Sequence, residues 1–197
     1  YAFALPRELC SSDLGRYVVV PGEEDDEHGV PFTEEDLNII RRDAPSDHDA
    51  EMLFIMCLSG YRVAAYSSME VSLEEGYFKG GVKTAAGKGR IVPIHSAILQ
   101  LVAARVEREG ALFPDSVSGF RKRMYAYLQR AGIEKHTPHD CRHTFSALCE
   151  KYGVREADRK RMLGHSFQGD ITNAVYGHRS LDELREEIEK IHILPPT

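Results

Sequence analysis

The sequence predicts an α+β domain that is mostly α-helical and contains one small antiparallel β-sheet. Apolar residues recur at helical spacing through most of the chain from residue 33 onward. Between residues 69 and 94 the pattern changes to short apolar runs separated by glycines, which is typical of strands joined by turns. A chain of 197 residues has room for one ordinary domain with a real core.

The first two helices are predicted from their caps and their apolar spacing. Thr33 is a capping residue, and the three acidic residues at 34–36 complement the positive end of a helix. A second helix is predicted from about Asp47 to Gly60, and Arg62 follows just past its end. Its apolar positions fall at helical spacing: Ala50, Leu53, Phe54, Cys57 and Leu58.

The rest of the chain contains the predicted sheet and six further helices. Pro93 limits the last strand to an edge of the sheet. Thr137-Pro138 predicts a helix start, and Ser180 with Glu183 forms a capping box for the last helix. The predicted helical segments are 96–109, 117–131, 138–152, 155–163, 170–178 and 181–191.

The charge is distributed unevenly along the chain. The net charge is −6, yet residues 1–60 carry −10 while residues 119–179 carry +6. Attraction to phosphates depends on local fields, so this basic third remains compatible with nucleic-acid binding. Solvated helix faces are the plainer explanation of the same charges.

The cysteines and the apolar runs bear on where the protein works. The four cysteines form no CxxC pair, which favours reduced thiols inside a cell. Cys141 and Cys149 lie on an apolar stripe and are interpreted as core residues. No secretory signal and no apolar run of membrane-spanning length occurs in the sequence.

The stretch from His139 to His143 is the most informative part of the sequence. His139 and Arg142 are three residues apart on a predicted helix, near its N-terminus, where an anion is favoured. Arg142 and Arg62 each offer a planar fork, and two forks on one phosphate stabilise a pentavalent transition state. A single arginine more often forms a surface salt bridge, so the interpretation depends on the joint pattern.

Further candidates follow in the chain. Tyr176 lies downstream of Gly164-His165, and nearby cations and imidazoles favour the phenolate that a nucleophile requires. Lys83 in a predicted hairpin turn is a candidate general acid, with Lys88 as its rival. A zinc site at His139 and His143 is a weaker alternative, because no general-base Glu lies between them. We therefore expect no metal and no cofactor.

Taken in order, the six positions resemble the tyrosine recombinase (phage integrase) family, whose catalytic domain is similar to residues 30–192. The motifs look most like those of integrases from bacterial conjugative transposons and temperate phages. The resemblance favours Lys83 over Lys88, because Lys83-Thr84 precedes an Arg-x-x-Pro strand at residues 90–94. The catalytic residues that it implies are Arg62, Lys83, His139, Arg142, His165 and Tyr176.

The resemblance implies a reaction and a set of partners. Such enzymes cleave one DNA strand at a time through a 3′-phosphotyrosyl link and need neither ATP nor metal. The implied partners are double-stranded DNA, further copies of the protein in a tetramer on synapsed DNA, and an excisionase or a host DNA-bending protein. The implied location is the bacterial cytoplasm, at the nucleoid and away from membranes. Residues 1–29 would be the linker or tail of a core-binding domain that precedes this chain, residues 30–179 the catalytic domain, and residues 180–197 a C-terminal helix and tail.

Several alternatives remain open from the sequence. Ala65 stands where the family commonly has an acidic residue, three positions after the first arginine. A type IB topoisomerase, a non-catalytic DNA-binding module and an interaction protein built on a decayed recombinase are the competing hypotheses. The apolar stripe of the last helix fits packing either on its own domain or on a neighbouring protomer.

Overall fold

The computed structural model describes residues 29–81, 87–114, 116–165 and 179–192. In these ranges the chain forms seven α-helices, a 3₁₀ helix and three strands, so the predicted mostly helical α+β fold is confirmed. The predicted helix at 170–178, Lys83, Tyr176 and residues 1–28 of the predicted linker lie outside the described ranges. The elements in chain order are α1 (Glu34–Asp43), α2 (His48–Cys57), the 3₁₀ helix (Val63–Ser68), β1 (Glu70–Ser72), β2 (Tyr77–Gly80), β3 (Arg90–Pro93), α3 (Ser96–Glu109), α4 (Val117–Ala131), α5 (Asp140–Lys151), α6 (Glu156–Leu163) and α7 (Leu181–Ile188).

Helices α1 and α2 begin where their caps predict. The Thr33 hydroxyl accepts from the Asp36 N–H at 3.1 Å, and the Asp36 carboxylate accepts from the Thr33 N–H at 3.0 Å. The Asp47 carboxylate caps α2 by accepting from two backbone N–H groups. Helix α2 ends at Cys57 rather than at Gly60, whose φ of 68° is outside the helical region.

Helix α2 is the centre of the core. Every residue from Ala50 to Cys57 is buried, because α1, α3, α4 and α5 pack around it. The buried stretch is apolar apart from Glu51, which pairs with the buried Arg105 at 2.8 Å, and such a helix belongs inside a domain. Cys141 and Cys149 are also fully buried, which confirms their interpretation as core residues.

The three strands form one antiparallel sheet in the order β1-β2-β3. Phe78 of β2 pairs with Val71 on one side and with Val92 on the other. Strand β3 is an edge strand that contains Pro93, as predicted, and it packs against α6 and α7. The sheet thereby brings the start of β3 next to the end of α6.

The later helices lie where they were predicted, but α6 begins one residue late, and α7 starts at Leu181 as predicted and ends at Ile188, three residues before the predicted end. Helix α5 begins at Asp140, two residues after the predicted start, because the Asp140 carboxylate accepts from the Thr137 N–H at 2.7 Å and closes a turn. In α7 the apolar residues Leu184 and Ile188 are buried against the same chain, as is Ile191 beyond its end. The described part of the C-terminal helix therefore packs on its own domain. Within the described ranges, no helix combines the length and apolar character needed to span a bilayer.

Candidate active site

Arg142 joins the ends of three helices. It is the third residue of α5 and only 1% exposed. Its Nη1 donates to the Gly60 carbonyl at 2.8 Å, and its Nη2 lies 2.9 Å from His165 Nε2. A guanidinium only donates, so His165 Nε2 accepts and its imidazole carries the proton on Nδ1. The bond thus fixes both the position and the tautomer of His165.

A glycine turn after α2 delivers Arg62 to the same place. Gly60 has a φ of 68°, and a Cβ there would lie 2.3 Å from Phe145 Cδ1. Only glycine permits this approach to α5. Arg62 follows as the N-cap residue of the 3₁₀ helix, and its Nε–H is buried without an acceptor among the described residues. An unpaired buried donor costs free energy, so this guanidinium is suited to receive an anion.

Arg90 is a part of the site that the sequence analysis missed. Its Nε donates to the Met162 carbonyl at 2.7 Å, its Nη2 lies 3.4 Å from the Gly60 carbonyl, and its guanidinium stacks over the Tyr61 ring at 3.9 Å. Arg90 and Arg142 therefore share the Gly60 carbonyl as an acceptor. Burial, and to a smaller degree the charge of Arg62, lowers the pKa of Arg90. The only signal in the sequence was its place at the start of the Arg-x-x-Pro strand.

The end of α6 packs closely on this arginine. Gly164 ends the helix with a φ of 72°, and a Cβ there would lie 2.8 Å from Gly87 Cα and 3.0 Å from Arg90 Nη1. Neither distance leaves room for a side chain. His165, the next residue, is consequently held beside the start of β3 as well as beside Arg142.

His139 occupies the N-cap position of α5, one turn before Arg142. It is partly exposed, and its ring meets the ring of His143 edge to face with centroids 4.7 Å apart. Asp140 between them points elsewhere and accepts from the Val30 and Thr137 N–H groups. In the part of the chain that the structure describes, no group of three or more His, Cys, Asp or Glu side chains is placed to hold a metal ion.

The structure describes four of the six predicted site residues and brings them to neighbouring helix ends. Arg142 contacts His165 directly, and the Gly60 turn connects it to Arg62. Lys83 and Tyr176 lie outside the described residues, and Lys88, the rival of Lys83, is exposed just before β3. Ala65 is buried within the 3₁₀ helix.

Three of the other tyrosines are buried in the core and have a structural rather than a catalytic role. Tyr61, Tyr66 and Tyr127 are at most 2% exposed, and burial raises the pKa of each phenol. Each hydroxyl also has a hydrogen-bond partner in the protein, such as Ser59 for Tyr66 at 2.6 Å. A buried phenol with a raised pKa is a poor nucleophile.

The fold is that of tyrosine recombinase catalytic domains. The integrase from mycobacterium phage Brujita superposes with a TM-score of 0.60 and 18% identity, over 96% of this chain and 67% of that one. The integrase of transposon Tn1549, solved in complex with transposon right end DNA, gives a TM-score of 0.57 and 18% identity, over 92% of this chain and 70% of that one.

The amino-acid sequence is similar to the same group of proteins. The family profile described as "Phage integrase family" matches residues 32–182, and the chain therefore belongs to the phage integrase family. Tyrosine recombinase XerA of Pyrococcus furiosus is 25% identical over 183 residues, which cover 83% of this chain and 62% of that protein. This chain thus spans less than two thirds of the length of that relative.

Proposed function

We propose that this chain is the catalytic part of a site-specific DNA recombinase, an integrase or transposase of a mobile element. The observation that carries the proposal is the position of Arg142. This buried guanidinium contacts both the Gly60 turn that leads to Arg62 and the imidazole of His165. A guanidinium and an imidazole from separate elements are thereby paired, and a second guanidinium follows two residues after Gly60 in the chain, which supports the binding of a single phosphodiester.

In the proposed reaction Arg62 and Arg142 hold the non-bridging oxygens of the phosphate, with His139 and His165 as further hydrogen-bond partners. The Tyr176 oxygen attacks phosphorus and loses its proton, for which His139 is the candidate acceptor. The new bond replaces the bond from phosphorus to the 5′ oxygen, and Lys83 protonates the departing oxygen. Because the phosphotyrosyl ester keeps the bond energy, the reverse step with a partner strand needs neither ATP nor a metal.

Double-stranded DNA is the proposed partner. The solved DNA complex of the Tn1549 integrase and the charge of +6 over residues 119–179 support it. A tetramer on synapsed DNA and an excisionase or host DNA-bending protein complete the proposed assembly in the bacterial cytoplasm. Residues 30–179 would act as its catalytic domain, after a linker at 1–29 and before a C-terminal helix and tail at 180–197.

The test uses the full protein and a DNA duplex that contains the junction between the mobile element and its flanking DNA. The duplex is nicked near the crossover so that the cleaved end diffuses away. We expect a covalent protein–DNA adduct, and we expect none from Tyr176→Phe, which keeps the ring but removes the nucleophilic oxygen. An adduct that survives this change refutes the assignment. DNA binding without any wild-type adduct indicates a non-catalytic module, and plasmid relaxation without sequence preference indicates a topoisomerase.

A further inference from the structure

Asp158 is a fully buried carboxylate outside the group of residues described above. It is the third residue of α6 and 0% exposed. Its Oδ1 accepts from Arg179 Nε and from Arg161 Nη1, both at 3.1 Å, and its Oδ2 lies 3.9 Å from Arg155 Nε. A buried carboxylate is costly unless it is paired, and these arginines are its ion-pair partners among the described residues.

Arg179 connects this carboxylate to the next helix. Its Nη1 donates to Glu183 Oε1 of α7 at 2.6 Å, and its side chain is 16% exposed. One guanidinium therefore joins a carboxylate of α6 to a carboxylate of α7. A second bond ties the same two helices, because the Arg155 N–H donates to Glu187 at 2.8 Å.

Arg179 lies close to Tyr176 in the amino-acid sequence, so its attachment to Asp158 bears on where Tyr176 can lie. Helix α6 leads directly to His165, which bonds back to the helix through its N–H and to Arg142 through its ring. Residues 166–178 then connect His165 to Arg179. Arg179 comes three residues after Tyr176, so chain geometry holds their Cα atoms within about 11 Å of each other.

We propose that Asp158 and Arg179 are a positioning pair that sets where the chain carrying Tyr176 returns to the domain. The pair thereby limits the distance between the phenol and a phosphate held by Arg62 and Arg142. It acts through the tyrosine and contacts no DNA itself. This inference rests on the proposed recombinase function, whereas the attachment of Arg179 to α6 is testable without it.

The first experiment compares two carboxylate-to-amide changes. Asp158→Asn keeps the shape of the side chain but removes the charge that holds Arg179. Glu150→Gln is the matched control, because Glu150 is an exposed residue of α5 that pairs with Arg159 of α6 at 3.1 Å. For each protein we would measure DNA affinity and the single-turnover rate of adduct formation on the nicked duplex.

We expect Asp158→Asn to bind DNA as wild type does and to cleave about 10- to 100-fold more slowly, since a misplacement of about 1 Å costs up to about 10²-fold. Glu150→Gln should cleave at the wild-type rate. Arg179→Met should reproduce the defect, and Arg179→Lys, which retains the cation, should recover part of the rate. Cleavage by Asp158→Asn at the wild-type rate overturns the inference.

A second substrate separates positioning from proton transfer. When sulfur replaces the bridging 5′ oxygen, the leaving thiolate needs no protonation, so a defect in the general acid is bypassed. The Asp158→Asn defect should persist on this substrate, because the nucleophile remains misplaced. Full recovery on the sulfur substrate would count against a positioning role.

Hydrogen exchange tests the attachment independently of activity. Peptides within residues 166–180 should exchange faster in Asp158→Asn than in wild type, while peptides from α2 should not change. Equal exchange in both proteins overturns the inference even if cleavage is slow. If the wild-type protein forms no adduct, the proposed function fails, and exchange alone then decides whether the pair holds this part of the chain.

Discussion

Replacing Gly60 with alanine is expected to destabilise the domain through two effects. An L-residue with a φ of 68° costs about 1–2 kcal/mol relative to glycine. The new Cβ would also lie 2.3 Å from Phe145 Cδ1, and Phe145 is fully buried in the core. Overpacking of this kind costs about 1–3 kcal/mol. The predicted loss is therefore about 2–5 kcal/mol, a large part of the stability of an ordinary domain.

Gly132→Ala separates the two effects. Gly132 has a φ of 70°, and no heavy atom of the described residues lies within 4 Å of its ideal Cβ position. This variant should lose only the backbone contribution of about 1–2 kcal/mol. Urea unfolding with linear extrapolation measures both free energies. We expect Gly60→Ala to lose about 1–3 kcal/mol more than Gly132→Ala, and equal losses would refute the role assigned to the Phe145 contact.

Two further predictions concern Arg90 and Cys149. Arg90→Lys should slow adduct formation and lower the free energy of unfolding by about 1.5–3 kcal/mol. The reason is that an ammonium cannot span the Met162 and Gly60 carbonyls while stacking on an aromatic ring. Single-turnover cleavage and urea unfolding measure the two effects, and an unchanged cleavage rate contradicts the prediction. Burial raises the pKa of Cys149 to about 12, so its thiolate is scarce at pH 8. Iodoacetamide should therefore modify Cys149 in urea but not in the native protein, and peptide mass spectrometry distinguishes the two results.

The sequence predicted elements well where local signals define both ends. Helices α3 and α4 have the predicted bounds, because each begins at a side chain that caps it and ends at a glycine in the left-handed region. The start of helix α5 was predicted at residue 138, two residues before its observed start at Asp140. Thr137-Pro138 favours a helix start, but the bond from the Thr137 N–H to the Asp140 carboxylate closes a separate turn first. A side-chain bond of that kind is not visible in a propensity pattern.

The candidate site was predictable in its chemical groups but not in its connections. The order and spacing of Arg62, His139, Arg142 and His165 pointed to one site. The role of Arg90 was not predictable, because its partners Gly60, which follows α2, and Met162 of α6 come next to β3 only in the folded domain. Nothing in the sequence singled out Asp158, since burial is a property of the tertiary fold.

The shared carbonyl of Gly60 predicts epistasis between two arginines. Loss of either Arg90 or Arg142 leaves this buried oxygen with one remaining donor. Loss of both arginines leaves the Gly60 oxygen without a donor from either one. This adds a desolvation penalty of about 1–3 kcal/mol that neither single change incurs. Each arginine therefore buffers the fold against loss of the other, and their combined removal should be worse than the sum of the two.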